Sequence, residues 1–213
     1  MTLPFTSDQF FEVFAAYNRA LWPFALALWF CALAGALMLA AQRRSTDRII
    51  PALLAVLWAW AALFYHAVFF TIINPAAWFF SLLFLVESAL FVWSGVIHDR
   101  LRFSASGSIR HGMAWLLITY ALAYPLLVRA EGHAFPALPT FGVPCPTTIL
   151  TIGFLFAAEP PIPAMLVVIP IVWGAIGGSA AMLLQVRTDL MLGASAIALL
   201  AYSLIPHARR IRA

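Results

Sequence analysis

Runs of about 20 mostly apolar residues follow one another along almost the whole chain, and they leave one kind of fold open. A helix of that length spans the ~30 Å hydrocarbon core of a bilayer. Within lipid, a helix also satisfies its own backbone hydrogen bonds. Of the 213 residues, 64% are hydrophobic and 9% charged, whereas soluble domains are about half apolar and a quarter charged. The chain therefore reads as an all-α, polytopic membrane helical bundle forming one integral membrane domain over residues 1–213. Seven transmembrane helices are expected at about 20–41, 50–73, 77–97, 112–129, 146–159, 164–185 and 189–206. An amphipathic interfacial segment, 1–19, precedes them, and a basic cytoplasmic tail, 207–213, follows.

The charges orient the bundle. The formal net charge of +4 comes from twelve arginines against eight acids, with no lysine. If all seven segments cross, nine arginines fall on one side: Arg43, Arg44, Arg48, Arg100, Arg102, Arg110, Arg209, Arg210 and Arg212. By the positive-inside rule that side is cytoplasmic, giving N-out/C-in. Arginines at helix ends match membrane orientation and anionic headgroups, so a nucleic-acid partner is rejected and the lipid bilayer is the expected one. Without lysine no side-chain amine can form a Schiff base, which excludes a retinal protein of that type.

The N-terminus carries a helix-start pattern. Thr6 can cap, Gln9 can reach back to it, and Phe5 can staple against Phe10. From Ser7 to Tyr17, phenylalanines alternate with Asp8, Gln9 and Glu12. This predicts a short interfacial helix, either an anchor or a lid over an outer cavity. The fifth span is short: thirteen residues from Pro146 to Ala158 make roughly 20 Å of helix before Glu159, Pro160, Pro161 and Pro163 interrupt it. A re-entrant helix there would invert the last two spans and move the C-terminal arginines outside, so a short crossing is the better reading. The chain lacks a phosphate-binding loop and a convincing internal repeat.

Few residues can carry chemistry. Glu87 lies about ten residues into the third span, hence roughly 15 Å deep. A carboxylate at that depth faces a cavity or a partner, as an ion or proton site or as a hydrogen-bonded structural carboxyl. His66, beside Tyr65, lies in the outer half of the second span, and Asn74-Pro75 turns the chain so that the second and third spans are neighbours. In FGVPCPTTILT, Pro146 suits the first helical position, which makes Cys145 the cap. There the helix dipole lowers a thiol pKa, offering an outward-facing thiolate to water or a soft metal; the plain alternative is a helix start. Cys145 and His66 are the candidate metal ligands, although no two histidines share a span at ligand spacing. Cys31, inside an apolar run, reads as a buried hydrophobe. Gly174, Gly177, Gly178 and Ser179 read as close helix packing. Asp189 is expected to pair with Arg187 at the surface. Arg129 ends the fourth span beneath Tyr120 and Tyr124, where it snorkels or attracts an anion.

The stretches FTSDQFFEVFAAYNRALWP, FGVPCPTTILTIGFL and IPIVWGAIGGSAAMLL resemble a family of bacterial integral membrane proteins of unknown function, loosely labelled transporter permeases. The resemblance covers nearly the whole chain and implies a bacterial inner (plasma) membrane location, without a known substrate. The leading expectation is a small transporter or permease-like protein with an outward-facing polar cavity for a small solute or soft metal ion. Its cavity or coupling residues would be Glu87, His66, Cys145, Tyr65 and Tyr124. A membrane-embedded metal- or haem-binding redox protein or enzyme is the second reading. The third is a non-catalytic subunit of a larger membrane complex, or an oligomer, packing through its small-residue face.

Overall fold

The computed structural model of the chain describes residues 4–43, 45–105, 107 and 109–205. Arg44, the end of the last expected span and the basic tail with Arg209, Arg210 and Arg212 lie outside the described residues. The architecture is all-helical: among the described residues there is no strand, only an isolated bridge between Phe103 and Ala158.

Helix α1 runs without a break over Ser7–Ala41. Thr6 accepts from the Gln9 amide at 3.2 Å while the Gln9 side chain accepts from the Thr6 amide at 2.9 Å, a reciprocal capping box. Phe5 stacks on Phe10 with ring centroids 5.9 Å apart. The expected separate interfacial helix is thus the first part of one 35-residue helix, about 52 Å long. Polar Asn18 and Arg19 mark a change in composition, yet the helix runs on past them and accommodates Pro23 within it.

Helix α2, Thr46–Trp60, continues as a π-helical segment, Ala61–Phe69, and a 3-10 turn, Phe70–Ile72. Helix α3, Ala77–Phe91, likewise ends in a π-helical segment, Val92–Ile97. Then come α4 (Ile109–Ala130), α5 (Pro144–Ala157), α6 (Met165–Leu184), a 3-10 turn (Arg187–Asp189) and α7 (Leu190–Leu204). Among the described residues, five helices are long and apolar enough to cross a membrane: α1, the α2 and α3 units with their extensions, α4 and α6. Large apolar side chains cover their outer faces, including Phe30 at 56%, Leu82 at 60% and Leu126 at 71% exposure. Such faces are stable against lipid, not water.

α5 differs from these five. Every residue in it except Cys145 is buried, as befits a helix apolar on all sides and placed at the centre. It packs on α4, α7, α6 and α2. Its start also differs from expectation: Val143 is the cap and Pro144 the first helical residue, which puts Cys145 within the first turn.

Two ends of the bundle follow from the contacts. At one, Arg102 pairs with Asp99 at 2.8 Å and with Asp47 at 3.6 Å, and Arg48 pairs with Asp99 at 3.7 Å. The Arg102 guanidinium holds the Asp99 carboxyl below the usual carboxylate range. At this end Arg110, at the start of α4, donates to the terminal α5 carbonyls of Phe156 and Ala158. At the other end lie the start of α1, the Asn74 turn, the long 131–143 connection, Cys145 and Asp189. Consecutive helices alternate in direction between the two ends.

Candidate functional site

The long connection is clamped against α1. Asn18, fully buried, donates to the carbonyls of Pro136 and Leu138, both at 2.7 Å, and accepts from Thr140 at 2.6 Å. Tyr17 donates to the Phe141 carbonyl at 2.9 Å and accepts from Trp60 Nε1 at 2.8 Å. Gly142 passes so close that an added Cβ would lie 2.5 Å from Tyr17 Oη, and its φ of +81° itself favours glycine. This clamp fixes Val143 and the start of α5, and so sets where Cys145 points.

A cavity of about 160 Å³ opens beside Cys145. The N-terminal part of the chain contributes Phe5, Phe10 and Phe14, and the helical extension of α2 contributes Tyr65 and Phe70. Phe80 of α3, Trp173 and Gly177 of α6, and Asp189 complete most of the wall. The first turns of α1 thus cover a cavity at the end of the bundle. Phe14 and Tyr65 stack at 5.5 Å, Tyr65 and Phe70 at 5.6 Å, and Phe80 meets Trp173 edge-on at 5.3 Å.

Asp189 departs from expectation. It stands in the turn before α7, buried, and it accepts from the Tyr124 hydroxyl and the Cys145 thiol rather than pairing with Arg187. The 3-10 turn directs its side chain inward. Around it, Tyr120 donates to the Thr188 carbonyl at 2.8 Å, and the Thr188 hydroxyl donates to Glu131. Burial lifts the Asp189 carboxyl to about 6, despite the two hydrogen bonds that hold it down. Cys145 is therefore a partly buried donor to a carboxylate, not the exposed thiolate expected at a helix cap. Cys31, by contrast, is exposed on the outer face of α1.

Of the residues singled out in the sequence, Tyr65, Cys145, Gly177, Ser179 and Asp189 line the cavity, and Tyr124 adjoins it through Asp189. His66 and Glu87 do not line it. Both are fully buried. The His66 ring sits 4.7 Å from Phe84, 5.2 Å from Trp173 and 5.8 Å from Phe80. Trp173 thus touches both the cavity and His66, and Glu87 follows Phe84 by about one helical turn. Neither ring nitrogen of His66, neither Glu87 oxygen, nor Trp173 Nε1 has a hydrogen-bond partner among the described residues. Gly174 and Gly178 face α7, and so does Gly177 beside the cavity: an added Cβ at Gly174 would lie 2.2 Å from Ala196, and one at Gly178 2.8 Å from Gly193 Cα. Ser179 bonds back to the Ile176 carbonyl. No three His, Cys, Asp or Glu side chains among the described residues gather at metal-binding spacing.

A helical bundle with lipid-facing apolar helices and a partly polar cavity at one end defines the class, an integral membrane protein. Within it, the chain belongs to a family of unknown function (DUF6064), whose match spans residues 7–213. Comparison with curated proteins and with solved structures finds no significant match for either.

Proposed function

We propose that this protein is a small proton-linked permease of a bacterial inner membrane, with the cavity beside Cys145 as its solute site and Glu87 as its proton-carrying group. In this reading all seven helices cross, α5 and α7 included, and the Cys145 end faces outward. The alternation of helix direction supports the first point. The arginine distribution supports the second: Arg43, Arg48, Arg100, Arg102 and Arg110 gather at the opposite end.

The observation that carries the proposal is a set of buried polar groups unpartnered among the described residues: Trp173 Nε1 at the cavity wall, His66 packed on Trp173, and Glu87 in α3. A charge buried in such a place costs several kcal/mol unless a proton, a cation or water meets it. A structural carboxyl would have acquired a hydrogen-bond partner from the protein. Among the described residues Glu87 and His66 have none, which fits groups whose partner is mobile. The π-helical segment that carries Tyr65 and His66 adds weight, because π-helical turns are rare and concentrate at functional sites.

The test is transport by protein reconstituted into liposomes that enclose a pH-sensitive dye. Neutral, anionic and cationic small solutes are supplied outside in turn. At least one class should drive a dye response that empty liposomes lack. Glu87→Gln should abolish that response while leaving the thermal unfolding midpoint within a few degrees, since shape is kept. A response undiminished in Glu87→Gln removes Glu87 from the mechanism, and no response to any class overturns the permease reading.

A further inference from the structure

We propose that the cavity beside Cys145 binds a small organic cation, a protonated or quaternary amine not much larger than benzene, held by Asp189 within a cage of aromatic rings. The proposal rests on reading this cavity as the solute site, and it names the class of solute.

Size sets the upper limit. The cavity measures about 160 Å³, close to the ~150 Å³ of an engineered apolar cavity that takes up benzene. Sugars and nucleotides exceed it. The walls then narrow the chemistry. Phe10, Phe14, Tyr65, Phe70, Phe80 and Trp173 all contribute to them, and no arginine among the described residues does. Aromatic faces carry the negative side of a ring quadrupole and attract a desolvated cation.

Charge decides between cations and neutral solutes. Asp189 is a buried carboxylate whose partners, Tyr124 and Cys145, are neutral donors. Among the described residues, the ion pairs all lie at the Arg102 end, and none includes Asp189. A buried anion without a cation is costly. A cationic ligand supplies the missing charge, whereas a neutral ligand leaves the cost in place and an anion adds repulsion.

The same geometry makes binding depend on pH. The groups facing Asp189 are Tyr120 and Tyr124 from α4, Cys145 from α5, Tyr65 from the π-helical segment after α2 and Glu131 from the connection after α4. None is basic. Because burial raises the carboxyl to about 6, it is ionised and competent above that pH, and it loses cation affinity as the pH falls through it. A bound cation shifts the loss to lower pH.

The experiment is calorimetric titration of the purified full chain in detergent with choline and with 3,3-dimethyl-1-butanol, its neutral isostere. Choline should bind at least about tenfold more tightly than the isostere, and lowering the pH from about 7.5 to about 5 should remove most of that advantage. Asp189→Asn should remove both the advantage and its pH dependence. Should that variant not fold, Phe14→Leu keeps the carboxylate and should still weaken choline several-fold while sparing the isostere. Equal binding of the two ligands, or no binding of choline at millimolar concentration, overturns the proposal. Choline binding without any proton movement in liposomes would leave the cation site standing and remove the permease reading. Proton movement driven only by another solute class would do the reverse.

Discussion

Gly142 shows how much of the site depends on single residues. Its backbone is left-handed, and Tyr17 Oη and the Trp60 indole stand within 2.7 Å of where a Cβ would be. Gly142→Ala therefore meets two penalties: about 1–2 kcal/mol for the backbone, and a clash with two rings that are hydrogen-bonded to each other. A loss of at least 2 kcal/mol is expected, read as a lower thermal midpoint in detergent. Gly132→Ala is the control. There φ is +100° with no atom within 4 Å of an added Cβ, so the backbone penalty alone should remain, and equal losses would show that the Tyr17–Trp60 contact carries no energy. At this scale the sequence was legible where partners are local. Thr6, Gln9 and Phe10 find each other within one helical turn, so spacing alone predicts them. Asp189 was misread for the opposite reason. Its partners lie 65 and 44 residues away in the chain, and Arg187, two residues off, was merely the nearest opposite charge in sequence.

Among the elements, α5 is the least typical, since it is short and buried on all sides. Its C-terminal carbonyls end inside the protein, where water is scarce, and Arg110 reaches across from α4 to accept that role. Arg110→Met should leave the Phe156 and Ala158 carbonyls without their donor and cost about 1–3 kcal/mol, whereas Arg100→Met, at an exposed position, should change stability by no more than about 0.5 kcal/mol. Comparable effects in the two would mean that water replaces the guanidinium freely. The apolar run of α5 was visible in the sequence; its central position was not, because a run apolar on all faces looks the same against lipid as against protein. The unbroken α1 was missed because hydropathy records composition, whereas the helix runs on through both the polar Asn18–Arg19 pair and Pro23. The π-helical segments gave no signal at all. A shift from i−4 to i−5 hydrogen bonding needs no glycine or proline to mark it.

At the scale of the whole molecule, the arginines and the helix directions make one joint prediction. The alternation from α1 to α7 puts Ser45 and Ile205 at the Arg102 end and Gly132 at the Cys145 end. Single cysteines at these three positions, in a Cys31→Ser, Cys145→Ser background, report the topology through an impermeant maleimide added to intact cells. Gly132→Cys should label, and Ser45→Cys should label only after the cells are permeabilised. Ile205→Cys discriminates further. If α5 crosses, Ile205→Cys follows Ser45→Cys; if α5 dips in and returns, α6 and α7 invert and Ile205→Cys labels alongside Gly132→Cys. The physical stake is the short helix. At 14 residues it spans about 21 Å, some 9 Å less than the hydrocarbon core. A lone helix of that length would have to thin the bilayer around it. α5 touches protein on every side, so its ends meet the Arg110 guanidinium and the Asp189 carboxyl instead of lipid, and the mismatch costs it little. Labelling of Ile205→Cys from outside would refute that account and the outward-facing cavity with it, because the mouth at Cys145 and the tail of α7 would then share one side.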